Sequence, residues 1–216
     1  MTWQRRIGGW QTRVWLGLAS LLLTAAAPRS MAGQYNADRS IGDPGAAWQG
    51  LPGVDGQLHS LADLAEHQAV VVVFTCNTCP YAVDYEDRLC RLARKYAMTP
   101  GKVAVVAINV HTIEEDLLPA MQRRAAEKAF PFPYLHDATQ QIAKDYGAAR
   151  TPEFFLLDQE RKIVYMGAMD DNTKEAEVKR HYLEEAIAAV LAGKPVAVSE
   201  TPPVGCAIRY QRRRGG

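Results

Sequence analysis

The chain is poor in several features that would settle its class at once. It has four cysteines in 216 residues, Cys76, Cys79, Cys90 and Cys206. That is too few for the disulfide framework of a small secreted scaffold, at a length where a hydrophobic core suffices. It has no second Cys-x-x-Cys and no histidine pair at ligand spacing, because His59, His67, His111, His136 and His181 are scattered. A structural zinc site would lack half its ligands. It has no charge excess, with a formal net charge of +1, and no internal repeat. It has no Asp or Glu ahead of Asp38.

The acid-free segment reads as an export signal. Arg5, Arg6 and Arg13 make a positive n-region ahead of "VWLGLASLLLTAAA", Val14 to Ala27, an apolar run of 14 residues. A membrane span needs about 20. Ser30 and Ala32 supply small residues at the −3 and −1 positions of a cleavage site. The expectation is a signal peptide over 1–32, cleaved after Ala32, and a periplasmic or secreted mature chain. An uncleaved membrane anchor is the alternative. No cysteine follows the run, so a lipoprotein anchor has no support. Removing Arg5, Arg6, Arg13 and Arg29 takes the charge from +1 to 1 − 4 = −3. A mildly acidic domain speaks against nucleic acid as a partner. The basic end "RYQRRRGG" reads as solvated.

What is present is an ordinary globular composition, 48% hydrophobic and 23% charged. The organisation expected is a flexible lead-in over 33–40, one domain over 41–192 and a C-terminal tail over 193–216 without regular structure. Asp55-Gly56 turns a short hairpin. "VVVVFT" and "VAVVAINV" are continuous apolar runs, as buried strands are. Between them Ala82, Val83, Leu89, Leu92, Ala93 and Tyr96 recur at helical spacing, which predicts a helix from about Cys79 to Ala97. Thr112 is the expected cap of a helix reaching about Ala129, with Glu114, Glu115 and Asp116 in its first turn. "ATQQIAKDYG" predicts a short helix, "EFFLLD" and "KIVYMG" a hairpin, and about Lys174 to Leu191 a last helix. The fold class is α/β, a central mixed sheet with helices on both faces and an N-terminal β-hairpin.

Cys76 and Cys79 stand where a buried strand gives way to a helix. Amides at a helix N-terminus favour an anion, so a thiolate at Cys76 becomes more acidic and more available. Cys79 lies one turn on, positioned to attack a mixed disulfide at Cys76. Pro80 fits the first turn, whose N–H groups have no helical partner. Redox chemistry is favoured over a metal site or a static disulfide. Thr151-Pro152 precedes another buried strand, where a cis bond is the expected reason for a proline. Such a turn leaves the Thr151 backbone unpaired and free to bind an extended substrate chain, so Thr151 and Pro152 are the candidate substrate-binding residues. Cys90 reads as a packed core thiol. Cys206 is a candidate third redox thiol, folding back to the pair, with pairing to Cys90 as its rival. Asp170 and Asp171 read as a helix cap or a solvated turn.

"CNTCP", "TPEFFLLD", "GAMDD" and "VGCAIRY" together resemble bacterial thioredoxin-family proteins. These belong to the alkyl hydroperoxide reductase/thiol-specific antioxidant and thiol-disulfide oxidoreductase superfamily. The resemblance covers Ile41 to Tyr210 and implies a thioredoxin-like fold. Relatives commonly carry His where this chain has Thr78, and often Cys where it has Arg150. Arg150 is therefore either a stabiliser of the Cys76 thiolate or a solvated side chain. Thioredoxin has a buried acid on the strand before its cysteines, where this chain has only valines. The peroxiredoxin motif Pro-x-x-x-Thr/Ser-x-x-Cys is absent. Three readings stand in order: a thiol-disulfide oxidoreductase, a thiol peroxidase with Cys76 oxidised to sulfenic acid, and a copper or other soft-metal chaperone using both thiolates and His136. The first needs no cofactor and no resident metal. Its partners are protein thiols and disulfides and an upstream dithiol donor, without stable membrane insertion once the signal is removed.

Overall fold

In the computed structural model, which describes residues 1–2 and 33–211, the most apolar run of the chain becomes the middle of the sheet. Strand β3, Ala69–Thr75, has β4, Val103–Asn109, parallel on one side and β7, Glu153–Leu157, antiparallel on the other. β5, Tyr134–His136, and β8, Ile163–Gly167, complete the order β5-β4-β3-β7-β8. Alternation along β3 builds two cores. Val71 and Val73 pack with Leu89 and Leu92 of α1, Pro80–Ala97, and with Leu183 and Ile187 of α4, Tyr182–Leu191. Val70, Val72 and Phe74 face the other way, against Trp48, Leu61 and Tyr146, the last from α3, Gln141–Tyr146. The N-terminal hairpin pairs β1, Leu51–Pro52, with β2, Leu58–His59. Among the described residues no helix is long and apolar enough to cross a membrane. Residues 3–32, most of the expected signal, and 212–216 lie outside the described residues.

Several expectations change. The helix expected from Thr112 is instead a separate 3-10 turn, Glu114–Asp116, followed by α2, Leu118–Lys128. Pro119 sits in the first turn of α2, where its missing N–H costs nothing, so it resets the helix start. The last helix begins at Tyr182 rather than Lys174, and Asp170 before it is buried rather than solvated. Arg88 Nη1 donates to Asp170 Oδ2 at 2.6 Å, tying α1 to the end of the hairpin. Neither end of the domain is loose. Asn36 is buried and donates to the Tyr146 carbonyl, anchoring 33–40 to α3. The tail crosses β8, with the Met166 amide donating to Ser199 and the Thr201 amide to Met166. It then forms β9, Cys206–Ala207, antiparallel to β6, Arg150–Thr151.

Candidate active site

β3 ends at Thr75, and α1 begins at Pro80 with Cys79 as its N-cap in an extended conformation. The Cys79 carbonyl accepts the first helical bond, from the Val83 amide at 3.0 Å. Residues 76–79 therefore form a tight loop that turns both sulfurs into one small cluster with Ala82. The neighbouring Cys79 thiol holds the Cys76 pKa below its ordinary 9.0, against the opposing effect of burial. The Thr151 hydroxyl, with Oγ1 3.4 Å from the sulfur, and the Cys79 amide reinforce it. The same thiol contact, then burial, pushes Cys79 up to about 12. The contact thus moves the two thiols apart, with Cys76 the more acidic and Cys79 the less.

The opposite wall is the Thr151-Pro152 peptide, which is cis as expected. Thr151 is fully buried, and its carbonyl accepts from Cys79 Sγ at 3.0 Å. The backbone of Thr151 is not unpaired, however. Cys206 lies across from it in the β6–β9 pair, and the chain's own tail takes the place expected for a substrate. Cys206 Sγ lies 2.6 Å from Cys79 Sγ. Burial and the Cys79 contact push Cys206 up to about 11. Arg150 does not reach toward Cys76. Its guanidinium donates to the Gly205 carbonyl at 2.9 Å, and its charge acts on Cys206. Cys90 lies in the main core, apart from this cluster, and burial raises its pKa.

Sequence reasoning missed the acid beneath the loop. Asp116 has no exposed surface and accepts from the Asn77 amide and the Thr78 hydroxyl, both at 2.6 Å. Asn109 Nδ2 donates to it at 3.1 Å, and His111 Nδ1 lies 3.4 Å away. Burial alone would raise the Asp116 pKa, but these donors hold it below the ordinary value. The carboxylate fixes the two residues between the cysteines, and its charge opposes the acidity of Cys76. A second buried acid, Glu153, follows Pro152 and accepts from the amides of Ala149 and Arg150. Burial pushes it up to about 7.

Donor atoms of Cys76, His111 and Asp116 all lie within 4.8 Å of one another. Both Asp116 oxygens already accept hydrogen bonds that shape the loop, so an ion there would have to displace them. His136, the expected partner of a metal-binding pair, instead sets Nε2 3.3 Å from the His111 carbonyl. A groove of about 390 Å³ opens beside Cys79 and Cys206, walled by Thr78, His111, Ile113 and Arg209. Cys76 faces a cavity of about 10 Å³ walled in part by Phe132, Tyr134 and Phe154, the size of about one water.

A family model described as Redoxin matches residues 36–182. A hypothetical protein of Sinorhizobium meliloti is 37% identical, with 80% of this chain and 96% of that one covered and a TM-score of 0.74. Two remoter structures share the fold. The peroxidoxin BcpB of Mycobacterium tuberculosis is 21% identical over 70% of this chain and 96% of that one, at a TM-score of 0.55. A putative thiol:disulfide interchange protein DsbE of Chlorobium tepidum is 24% identical over 70% and 98%, at 0.58. No curated protein matches the sequence.

Proposed function

Since the chain belongs to the Redoxin family of thiol redox proteins, matched over 36–182, we propose that it is an exported thiol-disulfide oxidoreductase acting on protein partners. The observation that carries this reading is the division of labour between two touching thiols. Cys76 is the more acidic, and Cys79 holds its proton up to about 12. The Cys76 thiolate attacks a partner disulfide. One partner sulfur leaves as a thiolate, and the other stays bonded to Cys76. Cys79 then gives its proton to a departing partner thiolate and attacks Cys76 Sγ, forming the Cys76–Cys79 disulfide and freeing a dithiol partner. An upstream dithiol returns the pair to its reduced form. The N-terminal segment read as a signal supports a periplasmic or secreted setting, in which such a donor is needed.

Reduction of insulin disulfides tests the reading. Cys76→Ser should fall to the uncatalysed rate, while Cys79→Ser should accumulate a mixed disulfide with the substrate on non-reducing gels. Wild-type turnover by Cys76→Ser would remove the reading. Rapid peroxide consumption without insulin reduction would move the chain to the peroxidase class of its fold.

A further inference from the structure

Three of the four cysteines meet at one point, and the third comes from the far end of the chain. The β6–β9 register sets Cys206 across from Thr151, and the Thr151 carbonyl also holds the Cys79 thiol at 3.0 Å. One backbone position thus gathers both sulfurs, and they lie 2.6 Å apart. The tail is held on both sides of the contact. Arg150 binds the Gly205 carbonyl, the Ile208 amide donates to Ala149, and Ile208 is buried. The Gln140 side-chain amide joins the Val110 and Arg209 carbonyls. Cys76 and Cys79 are each only 2% exposed, whereas Cys206 is half-buried and lines the groove beside His111 and Ile113.

We propose that Cys206 is a third redox thiol of this centre, and that the oxidised chain settles as a Cys79–Cys206 disulfide with Cys76 left as the free thiol. The proposal rests on the exchange reading only for its oxidant, a disulfide reduced at Cys76. Cys206 loses its proton to solvent through the groove, and its sulfur attacks Cys79 Sγ. The Cys79–Cys206 bond forms, the Cys76–Cys79 bond breaks, and the electron pair stays on Cys76. One disulfide replaces another with no net oxidation. Exchange favours the more acidic sulfur as leaving group, and in the reduced centre Cys76 is the one whose pKa is lowered while Cys79 and Cys206 are raised. Either disulfide consumes the Cys79 thiol that stabilises Cys76, but the Thr151 hydroxyl remains beside it. With Cys206 bonded, the tail is locked over the Thr151 backbone. The swap therefore makes covalent the cover that β9 already places over Thr151.

Trypsin separates the thiols, because residues 40–88 hold Cys76 and Cys79, 89–91 hold Cys90, and 181–209 hold Cys206. The full chain is oxidised with excess oxidised glutathione, quenched in acid, alkylated and mapped by mass spectrometry. The expected product joins 40–88 to 181–209, with the remaining label on Cys76. Alkylated Cys206 beside an internal Cys76–Cys79 bond overturns the proposal. So does Cys206 bonded to Cys90 or to a second chain, or no bond at all. Insulin reduction by the same preparation separates the two ideas. An internal Cys76–Cys79 bond in an active chain sinks this proposal and spares the exchange reading. A Cys79–Cys206 bond in an inactive chain does the reverse.

Discussion

Asp116 beneath the cysteine loop and Glu153 after the cis proline are two buried acids, and their surroundings drive them in opposite directions. Asp116 gathers an amide, a hydroxyl, a carboxamide and an imidazole, and stays ionised below its ordinary range. Glu153 has two amide donors, which do not offset its burial, and it rises from 4.5 to about 7. The sign for stability follows from proton binding. Between about 4.5 and about 7 the folded chain holds the Glu153 proton more tightly than the unfolded chain, so stability falls as pH rises through that window. The loss is complete above the folded pKa and amounts to about 3 kcal/mol at most. Glu153→Gln should remove that slope. Urea unfolding at about pH 5 and about pH 8 should show wild type losing stability relative to the variant at the higher pH. Equal differences at both would refute the assignment. Of these residues only the local pattern was legible. Cys76, Cys79, Thr151 and Pro152 announce themselves because their chemistry lies in adjacent positions. Asp116 looked like a helix-start acid, since nothing in its neighbourhood reveals the Thr78 hydroxyl 38 positions away.

At the scale of elements, strands and helices with a full apolar period were readable, and short ones defined by distant partners were not. β3 and β4 declared themselves by continuous branched residues, and α1 by its repeating stripe. β9 is two residues long and follows Pro195, Pro202 and Pro203, so its order comes wholly from β6, more than 50 positions earlier. Gly205 shows why the pairing is specific. A Cβ there would lie 2.1 Å from the Thr151 carbonyl oxygen and 2.6 Å from its carbon, both backbone atoms of a buried residue. Gly205→Ala should push β9 off β6 while the five-stranded sheet, which does not depend on it, stays folded. In the reduced chain, alkylation of Cys79 and Cys206 should then accelerate several-fold with little change in the melting transition. Unchanged alkylation rates would mean that β9 does not guard the sulfurs.

At the scale of the whole molecule, the proposed Cys79–Cys206 bond would turn a local redox event into a global constraint. After α4 the chain runs along β8, where Thr201 accepts from the Ala168 amide and meets the Tyr165 hydroxyl. It covers an edge that would otherwise be open to another strand, and returns to the sulfurs at the other side of β7. A Cys76–Cys79 bond closes a loop of three positions and restrains almost nothing beyond its own turn. A Cys79–Cys206 bond closes 127 positions, the greater part of the domain. In the chain-entropy description the two closures stabilise by about 2 and about 5 kcal/mol. For a domain of this size the difference corresponds to about 6–12 °C in melting temperature. Each single variant leaves one closure available, so oxidation should raise the melting temperature of Cys76→Ser by about that much more than it raises that of Cys206→Ser. Calorimetry of the reduced and oxidised forms of both variants measures the two gains directly, with each variant serving as its own reference. No gain in Cys76→Ser would mean that the tail is never covalently closed, and that its contact with Cys79 is packing alone.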